Sequence, residues 1–477
     1  MNATLIANVL GWLLVGLAAI QLVPLAAAFS FGEPALPYAA SAIAALVVGL
    51  AMALGSRPTH RRMRSRDGFL VVSAAWLIAS AFGSLPYLFT ETISGVDALF
   101  ESVAGFTTTG ATVMRQIEGA PKALLLWRSL TQWLGGMGII LFAVALMPLL
   151  GVGGMQLFNA EVPGPVADKL TPRIAVTARR LWLVYVGFTA VECVLLILAG
   201  MTGYEALCHS FTTMATGGFS TRDRSIGGFD SALIEWIIIV FMTLGGVNFV
   251  LHYRVLTGHF RSVLRDAEFR YYLILLGVAA LVVYWALIHA IEPTGFRTVL
   301  FQVVSITTST GYSTADFASW PAFALLVLLH LMILGGMAGS TSGGVKSLRV
   351  LIGMKAVSSV FNRLGHRTAV GHPVRYAGKR VPDDVLAGIW AFLTAYFLIV
   401  AVVACVVSAA GYDLVTSLST AVSAVGNVGP GLGEIGPSSN FAHFPSAVKL
   451  TLCIAMIAGR LELFTILILF HRDFWRR

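Results

Sequence analysis

A short turn rich in hydroxyls and glycine occurs four times in this chain, always in the same setting. It follows an apolar stretch too short to cross a bilayer and precedes one long enough to do so. Ser305–Thr314 reads Ser-Ile-Thr-Thr-Ser-Thr-Gly-Tyr-Ser-Thr, and Thr212–Thr221, Thr-Thr-Met-Ala-Thr-Gly-Gly-Phe-Ser-Thr, aligns with it without a gap. Gly105–Thr112 reads Gly-Phe-Thr-Thr-Thr-Gly-Ala-Thr, and the most divergent copy, Val425–Gly431, reads Val-Gly-Asn-Val-Gly-Pro-Gly. The half-length stretches before them are Val96–Phe106, Tyr204–Thr213, Phe296–Ile306 and Leu414–Ala424. One Thr-Gly-Tyr alone makes an ordinary turn. Four in one setting predict a repeated unit of span, half-helix, turn and span around one axis. Irregular polar backbone at membrane depth survives only where protein buries it or water lines it, and a ring of such carbonyls can replace an ion's hydration shell.

The rest of the composition agrees. The chain is 57% hydrophobic and 12% charged, with mean hydropathy +0.82; soluble domains carry about twice that charge. Apolar runs of about 20 residues, the length of a bilayer-crossing helix, recur throughout. The expected fold is an all-α polytopic membrane protein of ten crossings. A two-helix hairpin at residues 1–67 (spans Leu5–Phe31 and Tyr38–Leu54) precedes four pore repeats. These are repeat one at 68–150, repeat two with its preceding loop at 151–255, repeat three at 256–353, and a basic loop with repeat four at 354–477. Leu5–Phe31 has no basic segment before it and no small-residue cleavage site, so it reads as a retained span.

The net charge of +9 does not indicate nucleic acid, because the charge is segregated. Twenty-four of the 32 Lys and Arg fall in segments 56–66, 151–180, 254–270, 346–380 and 471–477. That bias places these segments, and both termini, in the cytoplasm. Glu33, Glu91, Asp97, Glu118, Asp223, Asp230, Glu292, Asp316, Asp413 and Glu434 fall on the other face. There they form either a solvated rim or a vestibule that concentrates cations. Cys193, Cys208, Cys405 and Cys453 lack the spacing of a metal site or a disulfide frame.

Each second span contains small residues at a similar distance past its turn: Leu134–Gly138, Leu244–Val247, Leu334–Gly339 and Ala458–Arg460. For the first two, close helix packing is the expected role. The third runs on through Gly339, Ser340, Thr341, Ser342, Gly343 and Gly344 to Val345 and Lys346, which no apolar helix would contain, so an unwound segment below the turns is expected. Its likeness to a phosphate-binding loop fails because Val345 separates Gly344 from Lys346 and no βα unit surrounds it. A serine-hydrolase elbow fails because Thr341 stands where the nucleophile belongs.

Charges within spans default to function or to a specific partner. Arg460 either projects toward a cation path, where it would oppose conduction or tether the 339–344 carbonyls, or pairs with a carboxylate such as Glu192 or Glu235. Arg128 supports the turns from outside or pairs with Glu101. Lys346 guards the inner mouth or snorkels to the interface. His209 reads as a satisfied interfacial histidine.

These motifs, together with Trp127-Arg128-Ser129-Leu130-Thr131-Gln132-Trp133-Leu134-Gly135-Gly136-Met137-Gly138, closely resemble the TrkH/TrkG branch of the Trk/Ktr/HKT potassium transporters over essentially the whole chain. The resemblance implies a four-fold pseudosymmetric pore, a homodimer in the bacterial inner membrane, and a cytoplasmic nucleotide-binding partner of the TrkA type. It implies no catalytic residue and no covalent cofactor, with potassium as the transported ion. It implies a selectivity filter made of Thr108, Thr109, Gly110 and Ala111, of Ala215, Thr216, Gly217 and Gly218, of Ser309, Thr310, Gly311 and Tyr312, and of Asn427, Val428 and Gly429. It further implies an intramembrane gate loop at Gly339–Lys346 and a constriction arginine at Arg460. Glycine at 110, where sodium-preferring relatives carry serine, implies potassium preference; Val428 departs from the hydroxyl pattern. Two other functions remain open from the residues alone. One is a sodium- or proton-coupled symporter built on broken helices, and the other is an intramembrane hydrolase using Ser340 or Ser342.

Overall fold

The structure, a computed structural model, describes residues 2–56, 65–145, 170–289, 294–365 and 373–476. The basic stretches at 57–64 and 151–169, and Glu292, lie outside the described residues. The N-terminal hairpin is α1 (Ala3–Phe31) and α2 (Leu36–Gly55). Gly11 and Gly49 face each other between them, where any side chain would strike the opposing backbone.

Repeat one comprises α3 (Ser65–Gly83), α4 (Leu85–Phe89), the half-helix α5 (Gly95–Phe106) and α6 (Lys122–Ala145). Repeat two comprises α7 (Leu170–Leu198), the half-helix α8 (Gly203–Met214), α9 (Ala232–Gly245) and α10 (Phe249–Leu256). A short α11 (Phe260–Leu264) leads to repeat three: α12 (Ala267–Ile288), the half-helix α13 (Phe296–Thr307), α14 (Ala322–Leu334) and α15 (Ser347–Gly365). A two-stranded hairpin, β1 (Arg375–Tyr376) with β2 (Lys379–Arg380), precedes repeat four. That repeat holds α16 (Asp383–Ala409), the half-helix α17 (Leu414–Gly426), α18 (Ser446–Arg460) and α19 (Phe464–Leu467).

Local chemistry sets the half-helix boundaries. Thr202 and Glu205 form a reciprocal capping box at α8, and the Asp413 side chain accepts the Val415 and Thr416 N–H groups at α17, satisfying donors that a helix start leaves open. Among the described residues six helices are long and apolar enough to cross a bilayer, and two bent pairs bring the total to eight. α6 and the interrupted pair α14–α15 occupy the chain positions of the remaining expected crossings.

The glycine pairs behave differently from one another. α6 runs unbroken through Gly135, Gly136 and Gly138, as expected for close packing. In repeat two Gly245 and Gly246 are also closely packed, against Thr216, Tyr272 and Thr308, but the helix does not continue: α9 and α10 meet at 102°. The cause lies just past the glycines: the Asn248 side chain accepts the Val250 N–H (2.9 Å) and starts a new helix. In repeat four α18 and Phe464–Phe470 meet at 110°. Neighbouring repeats are joined by Lys449–Asp97 (2.6 Å), Arg297–Glu235 (2.7 Å) and the Arg128 Nη1 bond to the Ser220 carbonyl (3.0 Å).

Candidate ion pathway

Beyond each half-helix the backbone takes one conformation four times. Thr108, Thr216, Ser309 and Asn427 are left-handed, with φ of 52°, 53°, 54° and 53°. Two residues on, Gly110, Gly218, Gly311 and Gly429 are left-handed again, with φ of 77°, 78°, 82° and 99°. Between them the N–H groups of Thr109, Gly217, Thr310 and Val428 reach back to the carbonyls of Ala104, Thr212, Ser305 and Ser423 at 2.9, 2.8, 2.8 and 2.9 Å. The fourth turn therefore shares the register of the others, although its sequence departs most. Ala215, expected within the second filter, instead caps α8 in a right-handed conformation (φ −74°). The residues equivalent to 108–111 and 309–312 are 216–219, so Phe219 is the counterpart of Ala111, Tyr312 and Pro430.

The four turns close on one another. A methyl on Gly110 would strike the Gly217 carbonyl oxygen, one on Gly218 that of Thr310, one on Gly311 that of Val428, and one on Gly429 that of Thr109. Each glycine is thus pressed against the carbonyl of the next repeat, and the fourth contact returns to the first. The C-terminal, partially negative ends of four helices meet at this ring, a field that favours cations.

Polar side chains one turn before each half-helix end brace the chain leaving the ring. Glu101 accepts the Thr112 hydroxyl (2.9 Å) and the Val113 N–H (2.9 Å), His209 Nε2 pairs with Ser220 Oγ (3.0 Å), and Gln302 bonds the Thr314 hydroxyl (3.3 Å). In repeat four Ser419, one position earlier, accepts the Leu432 N–H (3.0 Å). Sequence reading found neither Gln302 nor Ser419; their spacing before each turn was the available signal. Arg128 does both things expected of it. Its Nε pairs with Glu101 at 2.6 Å, and its guanidinium lies 3.5 Å over the Phe219 ring. Gln132, inside the quoted motif, donates to the Gly217 carbonyl (2.7 Å) and accepts the Phe219 N–H (3.1 Å). His209 is satisfied as expected, but it is fully buried and not interfacial.

Below the ring, residues 335–346 are unwound between α14 and α15. Met337 N–H donates to the Gly246 carbonyl (2.9 Å), and the Thr341 hydroxyl bonds the carbonyls of Gly245 (3.0 Å) and Met214 (3.1 Å). The Gly343 N–H bonds Ser309 Oγ, and the Gly344 N–H donates to the Gly426 carbonyl (2.9 Å). Arg460, only 3% exposed, donates to the Thr341 carbonyl (2.6 Å) and to the Gly135 carbonyl (3.3 Å). The loop and Arg460 together therefore touch all four repeats directly under the ring. Arg460 makes the carbonyl tether and not the carboxylate pair: Glu235 is held by Arg297. Lys346 neither snorkels nor lies open; it is buried and donates to the Ser342 carbonyl. Ser340 Oγ donates to the Met337 carbonyl (2.6 Å).

A helical membrane protein with four re-entrant half-helices, a ring of backbone carbonyls between them and an unwound loop tied beneath them is a cation-pathway protein by its architecture. The comparisons give the family: residues 38–476 match the family model TrkH, described as a cation transport protein. The chain belongs to the TrkH family. It is 41% identical over 440 residues to the Trk system potassium uptake protein TrkH of Salmonella typhimurium, covering 91% of this chain and 90% of that one. It is 40% identical to the Halomonas elongata protein of the same description, over the whole of both chains. The crystal structure of the potassium transporter TrkH from Vibrio parahaemolyticus superposes over 100% of both chains with a TM-score of 0.92 at 37% identity.

Proposed function

We propose that this chain carries potassium into the bacterial cell through the ring at 108–111, 216–219, 309–312 and 427–430. The loop at 335–346 and Arg460 would close the path. The observation that carries this reading is the cyclic contact of four turns with a plug tied to every repeat. Potassium would lose water against turn carbonyls and hydroxyls. It would then pass inward when loop and arginine swing aside, driven by about 2.3 kcal/mol per charge per 100 mV. A buried cation at the exit opposes other cations, so Arg460 both tethers the loop and raises the barrier. Both termini lie in the cytoplasm in this reading, and a nucleotide-binding partner of the TrkA type acts from that side. Val360, Phe361 and Leu364, exposed at the end of α15, support a protein-binding surface, and the working unit is a homodimer. The purified chain in liposomes should carry potassium faster than sodium; no preference for potassium in wild type and in Arg460→Ala refutes the proposal.

One observation favours the coupled reading. Glu192 is fully buried within α7, with the Thr213 side chain beside its carboxylate and no cationic partner among the described residues. Such a group within a span is a candidate for a coupled proton or sodium ion. A reversal potential that shifts with pH or sodium at fixed potassium supports coupling, and one set by potassium alone rejects it.

A further inference from the structure

Glu268 stands in the first turn of α12 and is 4% exposed. Its Oε1 accepts two hydrogen bonds, one from the Ala338 N–H (2.7 Å) and one from the Ser347 hydroxyl (2.8 Å). Ala338 lies near the start of the unwound stretch and Ser347 immediately after its end, so a single oxygen holds both legs of the loop. The other ties described above come from half-helix ends, from the ring, from the α9–α10 bend and from Arg460. Glu268 reaches the loop from a further element, the first span of repeat three.

The chain just before Glu268 also ends on the loop. The Phe249 N–H donates to the Gly339 carbonyl (3.1 Å), and Gly339 sits against the Asn248 amide, where a methyl would lie 3.0–3.1 Å from its atoms. Residues 248–268 therefore form a strap, α10 and α11, fastened to the loop at both ends. Between the fastenings it carries Arg254, Arg261 and Arg265 and exposes Leu256, Phe260 and Leu264. These residues fall in one of the basic segments assigned to the cytoplasm.

We propose that Glu268, at the end of the α10–α11 strap, is the latch of the gate. The proposal rests on the reading of 335–346 as a gate. Hydrogen bonds to a carboxylate are stronger than neutral ones, and because both share one oxygen, a displacement of α12 that breaks one breaks the other.

The test is potassium and sodium flux through the full chain in liposomes, comparing wild type, Glu268→Ala, Glu268→Gln, Ser347→Ala and Arg460→Ala. Glu268→Ala should raise potassium flux by more than tenfold, since loss of even one of its two bonds to a charged group is worth about that factor, with the potassium-to-sodium ratio unchanged. Glu268→Gln, whose amide oxygen still accepts both bonds, should stay near wild type, and Ser347→Ala should fall between. If Arg460→Ala conducts while Glu268→Ala remains at the wild-type rate, or changes the ion ratio, the latch is overturned and the pore stands. If neither wild type nor Arg460→Ala carries potassium, the pore reading falls instead. Should Glu268→Ala fail to assemble, Ser347→Ala decides the matter: a wild-type rate in that variant overturns the latch.

Discussion

Replacing Gly311 by serine tests the ring most directly. Its φ of 82° lies in the left-handed region, which costs a residue with a Cβ about 1–2 kcal/mol. The added carbon would also strike the Val428 carbonyl oxygen and come within 2.8 Å of Pro430 Cδ. Ordinary carbon contacts lie at about 3.5–4.0 Å, so the proline ring must retreat by at least about 0.7 Å. Neither obstacle is a flexible side chain, and both belong to the neighbouring wall, so relief opens the ring. If half to all of that 1–2 kcal/mol appears as lost discrimination between ions, the potassium-to-sodium flux ratio should fall by about two- to thirtyfold, since 1.4 kcal/mol is a factor of ten. The control is Gly295→Ser. Gly295 caps α13 with φ −64° and has open space around it, so serine there should leave the ratio unchanged. Flux into liposomes under opposed potassium and sodium gradients reads both. A folded Gly311→Ser protein with the wild-type ratio would show that the four turns do not discriminate ions, and the central argument would fail.

Three further outcomes are expected. Arg460→Ala removes two hydrogen bonds from a buried cation, each worth about 1.5–3 kcal/mol; it should raise basal potassium flux at least tenfold, and an unchanged closed-state flux would sink the gate. Glu101→Gln leaves Arg128 buried without its anion, which costs about 3–5 kcal/mol; thermal unfolding in detergent should show the loss, and an unchanged midpoint would mean that Ser220 and Phe219 suffice to hold the guanidinium. Hydrogen bonds from Thr416, and then from the Val415 backbone, hold the Asp413 carboxyl below its ordinary range. The charge-dependent part of its capping of α17 is therefore fully present above about pH 4 and is lost as pH falls through the lowered value; Asp413→Ala should cost about 1 kcal/mol at neutral pH and less at very low pH, as read by stability across pH.

The half-helices were legible because their endings are local: Phe296–Ile306 from sequence became Phe296–Thr307, and Tyr204–Thr213 became Gly203–Met214. The gapless match of 212–221 to 305–314 already placed Thr216 against Ser309, and the backbone follows that match and not the window that began at Ala215. Which glycine pair bends its helix was not legible from the pairs themselves. Gly135 is held against the Phe106 carbonyl at the end of α5 and stays helical, while two residues past Gly246 the capping side chain of Asn248 ends one helix and begins another. That asparagine was the readable sign. Glu268 could not have been found by spacing, because its partners lie 70 and 79 residues away.

The ring belongs to a single chain, and that alters how it can vary. In an assembly of four identical subunits, one codon change alters every wall at once. Here Thr108, Thr216, Ser309 and Asn427 hold equivalent places with different chemistry, and of these four side chains the Ser309 hydroxyl takes the Gly343 N–H of the loop. One of the four equivalent side chains is thus tied to the unwound loop. Asn427 is tied instead to the Thr109 hydroxyl and the Met456 carbonyl, both at 2.9 Å, so a single codon change alters one wall and its own ties and leaves the other three walls as they were.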